Sequence, residues 1–155
     1  ADMLSNILLG VMVMIANMAI LLLVVTLLIR YITRRIGSMS NAPTFKTDFA
    51  ALTVMLVILF LGQAFMFTTW AMLFMWLGEF DDFATAFYHS VVNFTSLGYG
   101  DIVMSEERRL LGAFEAANGV MMLGLTTGAF LSVMGTLFRR HGYVPKMGEH
   151  LNTDQ

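Results

Sequence analysis

The sequence predicts an all-α membrane protein, and three observations carry this prediction. The chain of 155 residues is 57% hydrophobic and only 13% charged, whereas soluble domains carry about 25% charged residues. Its mean hydropathy is +0.73. Charged residues are absent from two long segments, 3–29 and 49–78, and a third segment, 110–138, holds a single one, Glu115. Each segment exceeds the roughly 20 apolar residues that a helix needs to cross a hydrocarbon core, so three spanning helices are expected.

Composition also limits the partners and the chemistry. The formal net charge is −2 and no basic cluster is present, so a nucleic-acid partner is not expected. The chain contains no cysteine, which excludes disulfides and thiolate metal ligands. Neither a pair of nucleophile and base nor a metal cluster is recognisable, so the sequence does not predict an enzyme, and no cofactor is expected.

The first segment is expected to form a transmembrane helix within residues 1–32, because its apolar run is too long for a signal peptide. It lacks the regularly repeated arginines of a voltage sensor. A cytoplasmic connection, 33–48, is expected to follow. Seven of the nine basic residues come after the first and third spans: Arg30, Arg34, Arg35, Lys46, Arg139, Arg140 and Lys146. The positive-inside rule therefore places these segments, including the tail 139–155, in the cytoplasm, and the N-terminus and residues 79–107 outside.

The segment between the second and third spans contains an apolar stretch that is too short to cross the membrane. Phe83 to Thr95 is 13 residues long, and a helix of that length covers roughly 20 Å. Asp81 or Asp82 can cap its N-terminus. Polar and acidic residues follow, so the chain is expected to enter the membrane and return to the same side. Irregular backbone at membrane depth must be enclosed by protein, and three spans are too few for this, so several subunits are expected to surround it.

The return leg is the heptapeptide TSLGYGD, Thr95–Asp101. Gly98 and Gly100 can adopt left-handed backbone angles, and an alternation of left- and right-handed residues points successive carbonyl groups the same way. A column of such carbonyls is a site for a dehydrated cation. The motif resembles the selectivity-filter signature of tetrameric potassium channels. Ser96 stands where that family usually has threonine, and Leu97 stands where it usually has valine or isoleucine.

The resemblance extends over about residues 47–138 and implies a potassium-channel-like homotetramer. Each chain would supply a pore domain at 49–138 that consists of an outer helix, a pore helix, a filter and an inner helix, at 49–78, 82–95, 95–101 and 106–138. The resemblance identifies the filter residues as Thr95, Ser96, Leu97, Gly98, Tyr99 and Gly100. It implies that K⁺, the permeant ligand, binds to the Ser96 hydroxyl and to the backbone carbonyls of Ser96, Leu97, Gly98 and Tyr99.

Further roles follow from the same resemblance. Tyr88 stands where the family places an aromatic residue that bonds the filter aspartate, here Asp101. Val92 stands where some members have a supporting glutamate, and Gly119 occupies the hinge position of the inner helix. Four residues at helical spacing align with cavity-lining positions, with ordinary helix–helix contact as the alternative: Val120, Leu123, Thr127 and Leu131.

Several other residues have open interpretations. Glu115 either makes a structural bond behind the filter or acts in proton-sensitive gating, and its depth near the outer side is compatible with contact with water. His89 is expected to be a packed or capped imidazole. Gly124 and Gly128 have the spacing of small residues that allow helices to pack closely.

The function implied by the resemblance is passive, K⁺-selective conduction across a membrane. We expect a multi-pass protein of a bacterial plasma membrane, whose partners are identical subunits and lipid. A weakly selective cation channel is one alternative, suggested by Ser96 and Leu97. A non-conducting regulatory membrane subunit is another. Neither the gating stimulus nor the role of the first helix is visible in the sequence.

Overall fold

The computed structural model describes residues 3–38 and 45–140, and these ranges form four α-helices and no strand. In chain order the helices are α1, Met3–Ser38; α2, Phe45–Trp76; α3, Phe83–Phe94; and α4, Arg109–Arg140. Three of them, α1, α2 and α4, are long and apolar enough to cross a membrane. The predicted all-α fold with three spanning helices is therefore confirmed.

Two helices extend beyond the ranges that the charge-free segments predict. α1 continues to Ser38 instead of ending near 32, and α2 begins at Phe45 instead of 49. The length of a charge-free segment indicates only the part of a helix that fits within lipid. Because arginine and lysine are good helix formers, the helix can continue past the end of that segment. The connection predicted at 33–48 is therefore largely helical at both ends. Its centre, 39–44, and most of the predicted tail, 141–155, lie outside the described residues.

α4 begins later than predicted, at Arg109 instead of 106. The backbone amides of Arg108 and Arg109 donate to the carbonyl oxygen of Ser105, at 3.1 and 3.0 Å, and form a separate turn before the helix. The Glu79 carboxylate accepts hydrogen bonds from the amide and the hydroxyl of Ser105, both at 2.8 Å. Because Glu79 follows α2, these bonds join the end of α2 to the start of α4.

α1 and α4 run parallel to each other. Near the start of α1, Nδ2 of Asn6 donates to the carbonyl oxygen of Glu107 at 2.6 Å. Further along both helices, Gly10 packs so closely on Phe114 that an added Cβ would lie 2.9 Å from its ring. The start of α1 and the segment 79–108 therefore lie at the same end of the bundle.

α2 runs antiparallel to α4. Its C-terminal end lies beside the turn before α4, and further along, Nε2 of Gln63 donates to the Thr126 hydroxyl at 2.8 Å. The buried core that joins the helices beside α3 consists of Leu21, Met66, Trp70, Phe74, Phe94, Met104, Leu111 and Met122. α3 contacts α2 and α4, and this core holds it in place.

Candidate functional site

α3 is a short helix with a well-defined start. Oδ1 of Asp82 accepts a hydrogen bond from the backbone amide of Thr85 at 2.9 Å, so of the two predicted capping residues Asp82 is the cap. Hydrogen bonding to Thr85 lowers the pKa of Asp82, because the bond stabilises the ionised carboxylate. The helix has 12 residues and spans about 18 Å, which is too short to cross a membrane.

The loop after α3 has an alternating backbone. Ser96, Gly98 and Gly100 have positive φ angles of 58°, 59° and 73°, and they are separated by single residues. Left-handed angles at the two glycines are as expected. The same conformation at Ser96 is not expected, because a side chain makes it unfavourable. Such a residue persists where its surroundings determine the backbone, and these residues cluster at functional sites.

The carbonyl oxygen of Val92 fixes the inner part of this loop to α3. It accepts hydrogen bonds from the backbone amides of Leu97 and Gly98, at 2.9 and 3.3 Å. Both peptides are trans, so the amide and the carbonyl of each point in opposite directions. The carbonyl groups of Ser96 and Leu97 therefore both point away from α3. Val92 was singled out for its side chain, but its backbone makes the contacts with the loop.

Tyr88 fixes the C-terminal end of the loop. Its hydroxyl donates to Oδ2 of Asp101 at 2.7 Å, which is the bond that the resemblance implies. The hydrogen bond from Tyr88 lowers the pKa of Asp101, and the same bond raises the pKa of Tyr88, because it stabilises the pair with Tyr88 protonated and Asp101 ionised. The loop is thus attached to α3 near both of its ends.

His89 makes a further contact that sequence reasoning missed. Its Nδ1 lies 3.0 Å from the carbonyl oxygen of Ile102, and its Nε2 lies 2.8 Å from Nδ2 of Asn93. His89 is 4% exposed, and its ring packs against the rings of Phe74 and Phe80. The expected packed imidazole is confirmed. The partner Asn93 was visible in the sequence, four residues further along the helix, whereas nothing in the sequence pointed to Ile102.

Gly119 lies where α4 touches the C-terminal end of α3. A Cβ added to it would lie 1.8 Å from the carbonyl oxygen of Phe94, so only glycine allows this approach. α4 continues as a helix through this point. The role of Gly119 as a gating hinge stays a prediction, and close packing gives a separate reason for glycine here. By contrast, an added Cβ at Gly124 or Gly128 has no neighbour within 4 Å, so neither glycine serves close packing among the described residues.

One face of α4 is left uncovered by the other described helices. The opposite face is buried and carries Leu111, Glu115, Asn118, Met122, Val133 and Leu137. The uncovered face carries the four predicted cavity residues, all of which are exposed: Val120, Leu123, Thr127 and Leu131. They therefore do not serve contacts between helices of the same described chain, and their place in a central cavity stays a prediction.

Glu115 is fully buried, with 0% of its surface exposed, so the expected contact with water is absent in this chain. Its depth along α4 was predictable, but not that it faces α3. The carboxyl group lies beside the side chains of Ser90 and Asn93. Neither of its oxygens is in hydrogen-bonding geometry with another described residue, and the same holds for the Ser90 hydroxyl. The position favours a role behind the loop, although the choice between a structural bond and gating stays a prediction.

Three apolar spanning helices that support a short helix and an irregular, glycine-bearing loop define an all-α membrane channel. The chain belongs to the ion channel family, whose model matches residues 53–136, more than half of the chain. This membership makes it a channel protein and not an enzyme. The matched range begins in α2 and ends in α4, so α1 lies outside it. No curated protein and no solved structure matches the chain.

Proposed function

We propose that four copies of this chain surround a central axis and conduct K⁺ passively through the loop Thr95–Gly100. The observation that carries this proposal is the direction of successive carbonyl groups. Two neighbouring amides, those of Leu97 and Gly98, turn toward Val92, so the carbonyls of Ser96 and Leu97 turn the other way. The positive φ angles at every second residue continue the pattern through Gly100. Such carbonyls replace the water around a cation.

The tetramer is proposed because one chain does not enclose its own loop. Leu97 is 54% exposed and Tyr99 is 67% exposed, although backbone without regular structure must be covered by protein at membrane depth. Neighbouring copies would cover these side chains and complete the ring of carbonyls. The four exposed residues of α4 would then line a cavity below the loop. The negative C-terminal end of α3 would favour a cation there.

The orientation is proposed from charge. Six of the nine basic residues lie in the C-terminal parts of α1 and α4 and in the first turn of α2, at the end of the bundle opposite the loop. The positive-inside rule assigns that end to the cytoplasm. The N-terminus and the loop would face outward from a bacterial plasma membrane. The chain has no cysteine, so a Val103→Cys variant can be labelled with a membrane-impermeant maleimide. Labelling of intact cells supports the orientation, and labelling only after lysis contradicts it.

The proposal is tested by ion flux in liposomes that contain the purified protein. K⁺ flux well above Na⁺ flux is expected, as is a count of four subunits by native mass spectrometry. Gly98→Ala should reduce the K⁺ flux by about 5- to 30-fold. An added Cβ at Gly98 meets no atom within 4 Å in this chain, but its φ of 59° is disfavoured by about 1–2 kcal/mol for a residue with a side chain.

Gly62→Ala is the matched control, because this glycine lies within helix α2 and an added Cβ also meets no atom within 4 Å. It should leave the flux unchanged. A second candidate function is a weakly selective cation channel. It is suggested by Ser96, which stands where potassium channels usually have threonine and which would supply two of the proposed ligands, its hydroxyl and its carbonyl. Equal K⁺ and Na⁺ fluxes would support that candidate. No flux at any voltage would favour a non-conducting subunit.

A further inference from the structure

His89 uses both nitrogens of a buried ring. A carbonyl oxygen only accepts hydrogen bonds, so Nδ1, 3.0 Å from the carbonyl oxygen of Ile102, must carry a hydrogen. In the neutral imidazole, Nε2 is then an acceptor. The amide of Asn93 supplies the matching donor at 2.8 Å. One tautomer of His89 therefore satisfies both contacts.

Asn93 connects this pair to α4. A Cβ added to Gly112 would lie 3.1 Å from Nδ2 of Asn93, so the absence of a side chain at Gly112 leaves room for the amide. Glu115, one turn further along α4, lies beside Asn93 as well. The contacts therefore run from α4 through Asn93 and His89 to Ile102, the residue that follows Asp101.

We propose that His89 and Asn93 are positioning residues that hold the outer end of the conducting loop against α3; this rests on the proposed function of the loop. Consecutive residues of α3 hold consecutive residues beyond the loop, since Tyr88 bonds Asp101 and His89 bonds Ile102. Tyr88 is 39% exposed, whereas His89 is 4% exposed. Water therefore competes with Tyr88 for Asp101 but competes much less with His89 for the Ile102 carbonyl.

The Ile102 carbonyl accepts its hydrogen bond from His89, and Asn93, on the same face of α3, bonds to His89 instead of to the loop. Val92, which lies one turn further along α3, is buried and apolar and offers the loop only its backbone carbonyl. Without His89, the Ile102 carbonyl would lose its partner from α3. Loss of one buried hydrogen bond shifts the balance between an anchored and a released segment by about 5- to 10-fold.

Two substitutions at His89 separate hydrogen bonding from packing. Methionine fills a similar volume without either hydrogen bond, so His89→Met should reduce K⁺ over Na⁺ selectivity, or the time for which flux persists at low external K⁺, by about 5- to 10-fold. Glutamine offers one donor and one acceptor, so His89→Gln should stay within about twofold of the wild type. Equal selectivity and equal persistence in the wild type and the methionine variant would overturn the proposal.

The role of Asn93 is tested by combination. Because Asn93 acts through His89, the double variant His89→Met, Asn93→Leu should be no worse than His89→Met alone. If the double variant loses clearly more selectivity than His89→Met alone, Asn93 does not act through His89, and this part of the proposal is overturned. Melting temperature and subunit count should be nearly the same in all variants. If only His89→Met shows a large drop in melting temperature or a loss of subunits, His89 supports folding instead of the loop.

Hydrogen–deuterium exchange gives a readout that does not need conduction. Amides of residues 101–105 should exchange about 5- to 10-fold faster in His89→Met than in the wild type and at the wild-type rate in His89→Gln. If the wild type fails to discriminate K⁺ from Na⁺, the proposed selectivity fails, and faster exchange in His89→Met still supports the anchoring of Ile102. Unchanged exchange overturns the anchoring, whatever the flux.

Discussion

Gly119→Ala should destabilise the protein, because the new Cβ would lie 1.8 Å from the carbonyl oxygen of Phe94. Real Cβ atoms essentially never come closer than 3.0 Å to such an atom, so α4 and the end of α3 must separate by about 1.2 Å. The obstacle is backbone, which cannot rotate away as a flexible side chain does. The carbonyl of Val92, two residues before Phe94, holds the loop, so the separation should also disturb conduction.

The size of the effect is set by two opposing contributions. Overpacking of a dense site costs about 1–3 kcal/mol, whereas alanine in place of glycine within a helix gains about 1 kcal/mol. Gly124→Ala is the matched control. It gains the same helix propensity, and its added Cβ meets no atom within 4 Å. The two variants should therefore differ by about 1–3 kcal/mol, or about 2–12 °C in melting temperature.

The assay is thermal unfolding of the purified protein in detergent, followed by circular dichroism, with K⁺ flux measured on the same preparations. Gly119→Ala should melt below Gly124→Ala and no higher than the wild type, and it should carry less K⁺. A Gly119→Ala variant as stable as Gly124→Ala would refute the packing argument. If such a variant also had altered channel opening, Gly119 would act as a hinge alone.

The other predictions concern the polar contacts of α3. Tyr88→Phe should lower the melting temperature modestly and shorten the persistence of K⁺ flux, since it removes the 2.7 Å bond to Asp101. Because this bond lowers the pKa of Asp101 below 3.8, its contribution is present above that value and is lost as the pH falls through the lowered pKa. The difference in melting temperature between the wild type and Tyr88→Phe should therefore be constant between about pH 5 and 7 and shrink in stronger acid. Glu115→Gln should keep fold and flux, because an amide has nearly the size of the carboxyl group and suits the polar neighbours Ser90 and Asn93. If the pH dependence of flux is the same in Glu115→Gln as in the wild type, proton-sensitive gating by Glu115 is excluded.

The sequence was sufficient for the features that depend on local pattern. The lengths of the charge-free segments predicted three spanning helices. The apolar segment that begins at Phe83 is short, and this predicted a helix that does not cross the membrane. Glycine spacing predicted left-handed angles at Gly98 and Gly100, which the chain adopts. Each of these follows from residue type and distance along the chain, so no partner from elsewhere in the molecule had to be known.

Features that depend on a distant partner were out of reach. Gly119 was recognisable as an unusual glycine, but its neighbour, the Phe94 carbonyl, lies in another helix. The positive φ of Ser96 is set by bonds to the end of α3 and not by any preference of serine. The position of Glu115 along α4 could be predicted from the sequence. The direction of its side chain could not, because it depends on how α4 is rotated about its axis relative to α3.

The contact between Gly119 and Phe94 also limits where α4 can bend. A bend at Gly119 would move the helix away from the end of α3, which holds the loop. A bend at Gly124 or beyond would leave that contact in place, and an added Cβ at Gly124 meets no atom within 4 Å in this chain. We therefore expect gating motion of α4 to begin after Gly119.

Spin labels test this expectation. Labels at Leu123 should keep their distances between the proposed subunits when the channel opens, whereas labels at Phe138 should move apart. Equal movement at both positions would show that α4 bends at or before Gly119 and would contradict this expectation.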